Sequence, residues 1–165
     1  FNPAVTVAFA LRREIPWGEA GFYIVAQIAG GIAGVIVAHL MFDLAPLQAG
    51  TIVRTGPGQW LGELVATFGL VLTILGCLAR VPAAIPYAVG LYITSAYWFT
   101  SSTSFANPAV TIARSFTDTF SGIAPPHAPL FIVVQFVGAS FAVGLAGFLF
   151  RPAEPQRQDQ PASAR

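Results

Sequence analysis

The chain has 165 residues, of which 55% are hydrophobic and 9% are charged, and its formal net charge is +1. A soluble protein of this composition would have too little polar surface to cover itself, and the mean hydropathy of +0.70 favours a lipid environment. The basic residues are all arginine and form no run long enough to follow a phosphate backbone, so the composition excludes a nucleic-acid-binding protein. The single cysteine, Cys77, allows no internal disulfide and is interpreted as a packing residue.

The predicted elements begin with a short apolar helix over residues 2–13, which opens with Asn-Pro-Ala-Val-Thr. Residues 1–6 carry no methionine, basic region or cleavage site, so we expect the chain to begin within a domain rather than with a signal peptide. At about 1.5 Å per residue this helix covers only about half of a hydrocarbon core of about 30 Å. It is therefore interpreted as a half-helix that enters and leaves the membrane by the same face.

Spanning helices are predicted next at residues 20–42, 59–79 and 83–100, of which the last is the shortest. A second half-helix at 107–118 opens with the same five residues as the first, and a fourth spanning helix follows at 129–150. Residues 1–150 are thus predicted to form one transmembrane domain. The polar, proline-rich residues 151–165 cannot bury enough surface to order themselves and are predicted to be a disordered tail.

The two half-helices belong to an internal repeat, because each is followed by a span that starts similarly, at residues 22–27 and 131–135. Three crossings separate the two copies, so the second half-helix must enter from the opposite face, as in inverted repeats. Most arginines then lie on the same side as the C-terminus, and only Arg54 and Arg114 lie on the other. The positive-inside rule predicts that the C-terminus is cytoplasmic.

Each half-helix starts with a favourable capping pair, since an asparagine side chain caps a helix and proline lacks the N–H that would be unpaired at the first helical position. One such motif is weak, but two copies at inverted positions are specific. The motifs Asn2-Pro3-Ala4 and Asn107-Pro108-Ala109 resemble those of the major intrinsic protein family, the aquaporins and aquaglyceroporins. The resemblance runs from the first motif to the tail.

This resemblance implies an all-α transmembrane fold of inverted repeats, here with four spanning helices and two re-entrant half-helices, and with the family's first two spans missing. It also implies a multi-pass homotetramer in the lipid bilayer of the cell membrane, with one pore per subunit and neither cofactor nor metal. Asn2 and Asn107 would offer N–H donors to a passing oxygen at the pore centre, where the positive helix ends disfavour cations and protons. The implied function is a passive channel for water and small neutral solutes rather than an enzyme.

Two alternatives stay open. Broken helices and inverted repeats also build secondary transporters, for which Glu63, the one carboxylate within a predicted span, would be the candidate ion ligand or proton relay. The chain could also be an inactive truncated fragment. An enzyme is disfavoured because no nucleophile is adjacent to a base.

Polar residues within the spans are interpreted as structural. Glu63 resembles the family's buried glutamate that supports a pore loop through backbone N–H groups, and Gln27 and Gln135 resemble residues that brace the spans. His39 and His127 lie near span ends without partners at metal-ligand spacing, and both are interpreted as bystanders.

The outer constriction departs from the family pattern. The family usually places an arginine three residues after the second asparagine, where this chain has Val110. By the same offsets Ser104 and Ser95 contribute to this filter, and the fourth position falls in the missing second span. Such a filter would be wider and more neutral, so we expect glycerol-like polyols to pass. Residues 102–114 also resemble a bacterial branch linked to arsenical resistance, which extends the expected solutes to arsenous acid.

Arg114 lies four residues beyond Val110 and hence on the same helix face, one turn nearer the outer mouth. One hypothesis is that Arg114 supplies the displaced positive charge of the filter. The alternative is that it extends to the membrane interface or pairs with Asp118.

Overall fold

A computed structural model describes residues 1–150, and the predicted tail at 151–165 lies outside these described residues. Helices account for all the regular structure in residues 1–150. They are α1 (Pro3–Leu11), α2 (Trp17–Met41), α3 (Pro57–Arg80), α4 (Ile85–Phe99), α5 (Pro108–Arg114) and α6 (Ala128–Leu149), with short 3₁₀ turns at Pro82–Ala84 and Pro125–His127.

Three of the predicted spans are long and apolar enough to cross a membrane: α2, α3, and α6 together with the turn before it. The predicted span at 83–100 is shorter than expected, because α4 has 15 residues and extends about 22 Å. Its start is set by proline within the first two helical positions, and it ends where Thr100 turns to extended backbone. The loop 101–106, which leads from there to the second motif, is called the pore loop below. The 3₁₀ turn over Pro82–Ala84 lengthens the crossing segment at its start.

The half-helices start where the sequence predicts but end earlier than residues 13 and 118. Asn2 and Asn107 have extended backbone at the N-cap, and α1 and α5 then run for 9 and 7 residues. Beyond α5 the chain pairs with the loop after α2 instead of continuing the helix, since the Gly50 amide donates to the Ser115 carbonyl at 3.0 Å. These competing backbone bonds explain the early end of α5.

The core lies where α3 and α1 pack against α6. A β-carbon on Gly138 of α6 would lie 2.5 Å from the carbonyl oxygen of Leu64 on α3, so only glycine allows these backbones to approach so closely. On the other side of the molecule α5 packs against α2 near Gly31. Small residues at these two crossings thus allow close approach of α6 to α3 and of α2 to α5. A cluster of buried side chains fills the space between α1, α3 and α6, namely Ala4, Ala8, Val71, Leu75, Ala139, Ala142 and Ala146.

Candidate pore

Each motif asparagine caps its own half-helix. The Asn2 side-chain oxygen accepts a hydrogen bond from the Ala4 amide at 2.9 Å, and the Asn107 oxygen accepts from the Ala109 and Val110 amides at 3.0 and 3.3 Å. Both asparagines thus satisfy backbone donors that a helix start leaves free. The carboxamide nitrogens are therefore oriented away from the helices.

The two asparagines also join the half-helices to each other. Asn2 Nδ2 donates to the carbonyl of Ala106, 2.7 Å away, and Asn107 Nδ2 donates to the carbonyl of Phe1, 3.0 Å away. Each acceptor is the residue just before the opposite asparagine, so the arrangement is reciprocal. Because a carboxamide nitrogen carries two hydrogens, one N–H of each asparagine is left for another acceptor. The positive ends of α1 and α5 therefore meet at one point with two donors beside them.

Glu63 lies on α3 and is fully buried beneath the pore loop that leads into α5. Its two carboxylate oxygens accept from the amides of Phe105 and Ala106, each at 2.8 Å, and from Gln135 Nε2 at 2.6 Å. The carboxylate is thereby occupied by three donors of the protein itself. This occupancy disfavours Glu63 as a coupling-ion ligand.

The loop held by Glu63 has an unusual backbone. Thr103, Ser104 and Ala106 have φ angles of 63°, 48° and 48°, in the left-handed region that non-glycine residues rarely adopt. Residues in this region cost on the order of 1 kcal/mol or more each and persist only when their surroundings hold them. The Glu63 carboxylate helps to hold this loop by accepting from the amides of Phe105 and Ala106, and Asn2 adds a bond to the Ala106 carbonyl.

The two glutamines lie at matching places in the repeat. Gln27 on α2 donates to Thr6 of α1 at 2.9 Å, and Gln135 on α6 donates to Thr111 of α5 at 2.9 Å. In each copy the long helix is thus joined by one amide to the half-helix that packs against it.

Of the predicted filter residues, Val110 lines open space. It borders a cavity of about 710 Å³ together with Arg114 and a second of about 580 Å³ together with Gln27. Ser95 is exposed and its hydroxyl donates to the Leu91 carbonyl at 2.9 Å, whereas Ser104 is only 2% exposed. The serine side chains therefore do not share these cavities with Val110.

Arg114 reaches back from the end of α5 toward the pore loop. Its guanidinium carbon lies 4.3 Å from the ring centroid of Phe105, and Nη2 donates to the Tyr97 hydroxyl at 3.0 Å. Helical side chains lean toward the N-terminus, so an arginine one turn beyond Val110 brings its charge back over that residue's level.

Asp118, the alternative partner of Arg114, is engaged elsewhere. Its carboxylate accepts from the Thr51 amide at 3.1 Å and also from the Thr51 hydroxyl. Within residues 1–150 the single ion pair joins Arg12 and Glu14 at the opposite end of the molecule. The pairing of Arg114 with Asp118 is therefore absent from the described part of the chain.

Sequence reasoning missed Arg54 and Phe105, and it treated two histidines as bystanders. His39 is buried, with its ring nitrogens 3.0 Å from the Pro46 carbonyl and 2.8 Å from the Thr117 hydroxyl, and His127 Nδ1 accepts from the Arg54 amide at 3.2 Å. Both histidines thus tie loops together at the end of the molecule where α2 leads into α3. Their partners are distant in sequence and follow no motif, which is why no sequence signal reveals them.

Comparison with known proteins agrees with this geometry. The sequence model of the family described as Major intrinsic protein matches residues 1–84. The chain is 54% identical over 165 residues to aquaglyceroporin AqpS of Rhizobium meliloti, covering 99% of this chain and 71% of that protein. It is 33% identical over 103 residues to the glycerol uptake facilitator protein of Streptococcus pneumoniae, covering 55% of this chain and 39% of that protein. The chain therefore belongs to the major intrinsic protein family of membrane channels.

Proposed function

We propose that the protein is a passive channel through which water and small neutral solutes, such as glycerol-like polyols and arsenous acid, cross the membrane. The observation that carries this proposal is the reciprocal bonding of Asn2 and Asn107 to the loops before each other, which fixes two helix N-termini face to face. The relatives support it, since their names are those of aquaglyceroporins and glycerol facilitators.

A neutral solute crosses such a centre by exchanging hydrogen bonds. Each asparagine retains one N–H. A water or hydroxyl oxygen that accepts from both replaces the hydrogen bonds that it gave up on leaving bulk water. A cation has no such compensation, because the ends of α1 and α5 present positive partial charge. In this proposal the channel passes solutes that accept hydrogen bonds and carry no positive charge.

The outer filter is proposed to combine a wide aperture with a displaced charge. Val110 removes the bulky cation from the position where the family usually has arginine, and Arg114 restores positive charge from one turn away. Ser95 and Ser104 contribute by their small size rather than as donors, since the Ser95 hydroxyl is used within α4 and the Ser104 side chain is buried. Compact trihydroxy solutes then fit beside the guanidinium.

The surroundings of the channel follow from the family and the charge pattern. We propose that residues 1–150 form the channel domain of a homotetramer in the cell membrane, with the C-terminus on the cytoplasmic side. The arginines at 12, 13 and 80 lie at the ends of α1 and α3 that this orientation makes cytoplasmic.

The proposal is tested by stopped-flow light scattering on proteoliposomes that contain the full-length protein, with water, glycerol and arsenous acid as solutes. We expect wild type to pass all three and Val110→Arg to exclude the larger two while sparing water, because a guanidinium fills the aperture. Arg80→Gln, at the far end of α3, is the matched control and should leave all three rates unchanged. A wild type that passes water alone would contradict the wide filter, and one that passes none would contradict the channel.

The same assay on the 165-residue chain addresses the inactive-fragment alternative. If vesicles that hold only this chain show the same three rates as empty vesicles, the fragment does not conduct by itself. Conduction at the full-length rate would show that residues 1–165 suffice.

A further inference from the structure

Arg54, in the loop between α2 and α3, is buried although it is charged. It is 8% exposed, and its guanidinium donates through Nε to the Gly122 carbonyl at 2.7 Å and through Nη2 to the Phe120 carbonyl at 2.9 Å. A third, longer bond of 3.3 Å reaches the Thr103 hydroxyl in the pore loop. One side chain thus joins the loop before α3, the loop after α5 and the pore loop.

The charge of Arg54 has no carboxylate partner among the described residues. Within residues 1–150 neither Arg54 nor Arg114 forms an ion pair. Burial, followed by the positive charge of Arg114, lowers the pKa of Arg54, while the carboxylate of Glu63 acts in the opposite direction. Carbonyl oxygens satisfy the guanidinium donors but do not neutralise the charge. The cations of Arg54 and Arg114 therefore lie near a single buried carboxylate, that of Glu63.

The two arginines meet at Phe105. The guanidinium carbon of Arg54 lies 5.1 Å from the centroid of that ring, and that of Arg114 lies 4.3 Å from the same centroid. Both are within the range of a cation–π contact, which is about 6 Å. Because they share one ring, the two charges are less than about 10 Å apart, which is one Debye length at 0.1 M salt.

We infer that Arg54 is a second selectivity residue of the outer mouth, which acts with Arg114 through Phe105 to exclude cations. In this inference the charge that the family usually takes from one arginine after the second motif is divided between two arginines from different segments. Burial strengthens the contribution of Arg54, since a charge in a low-dielectric wall is screened less than one in water. Arg114 lines the cavity beside Val110, so its charge reaches the space that the short valine side chain leaves open.

A purely structural role for Arg54 makes a different prediction. If Arg54 only fastens the three loops, then its hydrogen-bond geometry matters and its charge does not. Lysine keeps the charge and loses the planar fork of donors, whereas glutamine keeps a donor and loses the charge. The pair Arg54→Lys and Arg54→Gln therefore separates the two roles.

The inference rests on the proposed function and is tested on the full-length protein in proteoliposomes, with sodium leak and glycerol permeability measured on the same preparation. We expect Arg54→Gln to raise the sodium leak about tenfold, as loss of one unit charge at this range implies, with glycerol permeability within about twofold of wild type. Arg54→Lys should retain cation exclusion, and the double variant Arg54→Gln with Arg114→Gln should leak more than either single variant. Arg80→Gln is the control and should match wild type.

The sodium leak of these variants distinguishes a selectivity role of Arg54 from a structural one. Equal leak in Arg54→Lys and Arg54→Gln, or wild-type exclusion in Arg54→Gln, would overturn the inference. If Arg54→Gln does not assemble, Phe105→Leu replaces it, because it removes the shared ring and leaves the carbonyl partners of Arg54 in place. Raised sodium leak in Phe105→Leu supports the inference, and unchanged leak overturns it. A wild type that passes no glycerol contradicts the proposed function instead, so the two failures are distinguishable.

Discussion

The two copies of the repeat start alike but differ in how their long helices are covered. In the first copy α2 buries only Ala20 and His39. In the second copy α6 buries seven residues along most of its length. The capping geometry of a half-helix is local and recurs in both copies, whereas the burial of a span depends on the helix that packs against it.

The difference has a specific location. Gly138, three residues after Gln135, lies against α3, whereas Gly30, three residues after Gln27, has no atom within 4 Å of where its β-carbon would be. Gln135 bonds to both Glu63 and Thr111, whereas among residues 1–150 the buried side-chain oxygen of Gln27 has no partner. The first copy therefore has an open helix face and an unused acceptor at the position where the second copy has α3.

The largest expected effect is at Glu63, which contacts the second copy of the repeat and has no counterpart at the first copy among residues 1–150. Glu63→Leu should lower the free energy of unfolding of the full-length protein by about 2–5 kcal/mol, because the amides of Phe105 and Ala106 lose their acceptor and each buried donor costs about 1–3 kcal/mol. Thermal unfolding in detergent measures this. Glu19→Gln, at an exposed carboxylate, is the control. Equal melting temperatures for the two variants would contradict the stabilising role of Glu63 in the second copy.

An intermediate effect is expected at the glycines. Gly138→Val should destabilise the full-length protein by about 1–3 kcal/mol, since the added carbons meet the Leu64 backbone. The internal repeat predicts that Gly30→Val is similarly costly in the full-length protein, where a preceding helix would cover Gly30 as α3 covers Gly138. Thermal unfolding of both variants is the measurement. If Gly30→Val leaves the melting temperature unchanged, no helix covers this face of α2 in the full-length protein. The repeat would then not extend to the helices that pack against α2 and α6.

The smallest expected effect is at Gln27, and Gln135 at the matching place of the repeat is the comparison. Gln27→Met removes one hydrogen bond, to Thr6, and should cost about 0.5–1.5 kcal/mol, whereas Gln135→Met also leaves Glu63 one donor short and should cost about 1–3 kcal/mol. The two melting temperatures, measured side by side, rank these losses. An equal loss at Gln27 would indicate that its free oxygen gains a partner in the full-length protein.

Much of the fold could be predicted because its signals are local. Asparagine followed by proline fixes the start of α1 and α5, and apolar length fixes α2, α3 and α6 within a few residues. The shortness of α4 and the early end of α5 could not be predicted, because they depend on where the pore loop and the loop after α2 lie. Hydrophobic length does not record such competing backbone contacts.

The candidate site divides in the same way. Asn2, Asn107 and Val110 follow from the motif, but Arg54 shows no pattern in sequence, and its contacts with Thr103 and Gly122 join residues 49 and 68 positions apart. For Arg114 the sequence left two alternatives of equal merit. In the structure Arg114 contacts Phe105 and Tyr97, while Asp118 accepts hydrogen bonds from Thr51, and the sequence alone predicts neither set of partners.

The reciprocal bonds between the two motifs have a consequence for natural variation. Their acceptors are the main-chain carbonyls of Phe1 and Ala106, so the contact needs no particular side chain at either position. Ala106 is fully buried and has a φ angle of 48°, so the side chain at this position is limited by space and by the backbone conformation and not by the bond itself. A survey of side-chain identities would thus show no requirement for a hydrogen-bonding side chain at these two positions, although their main-chain carbonyls form half of the contact between the two motifs.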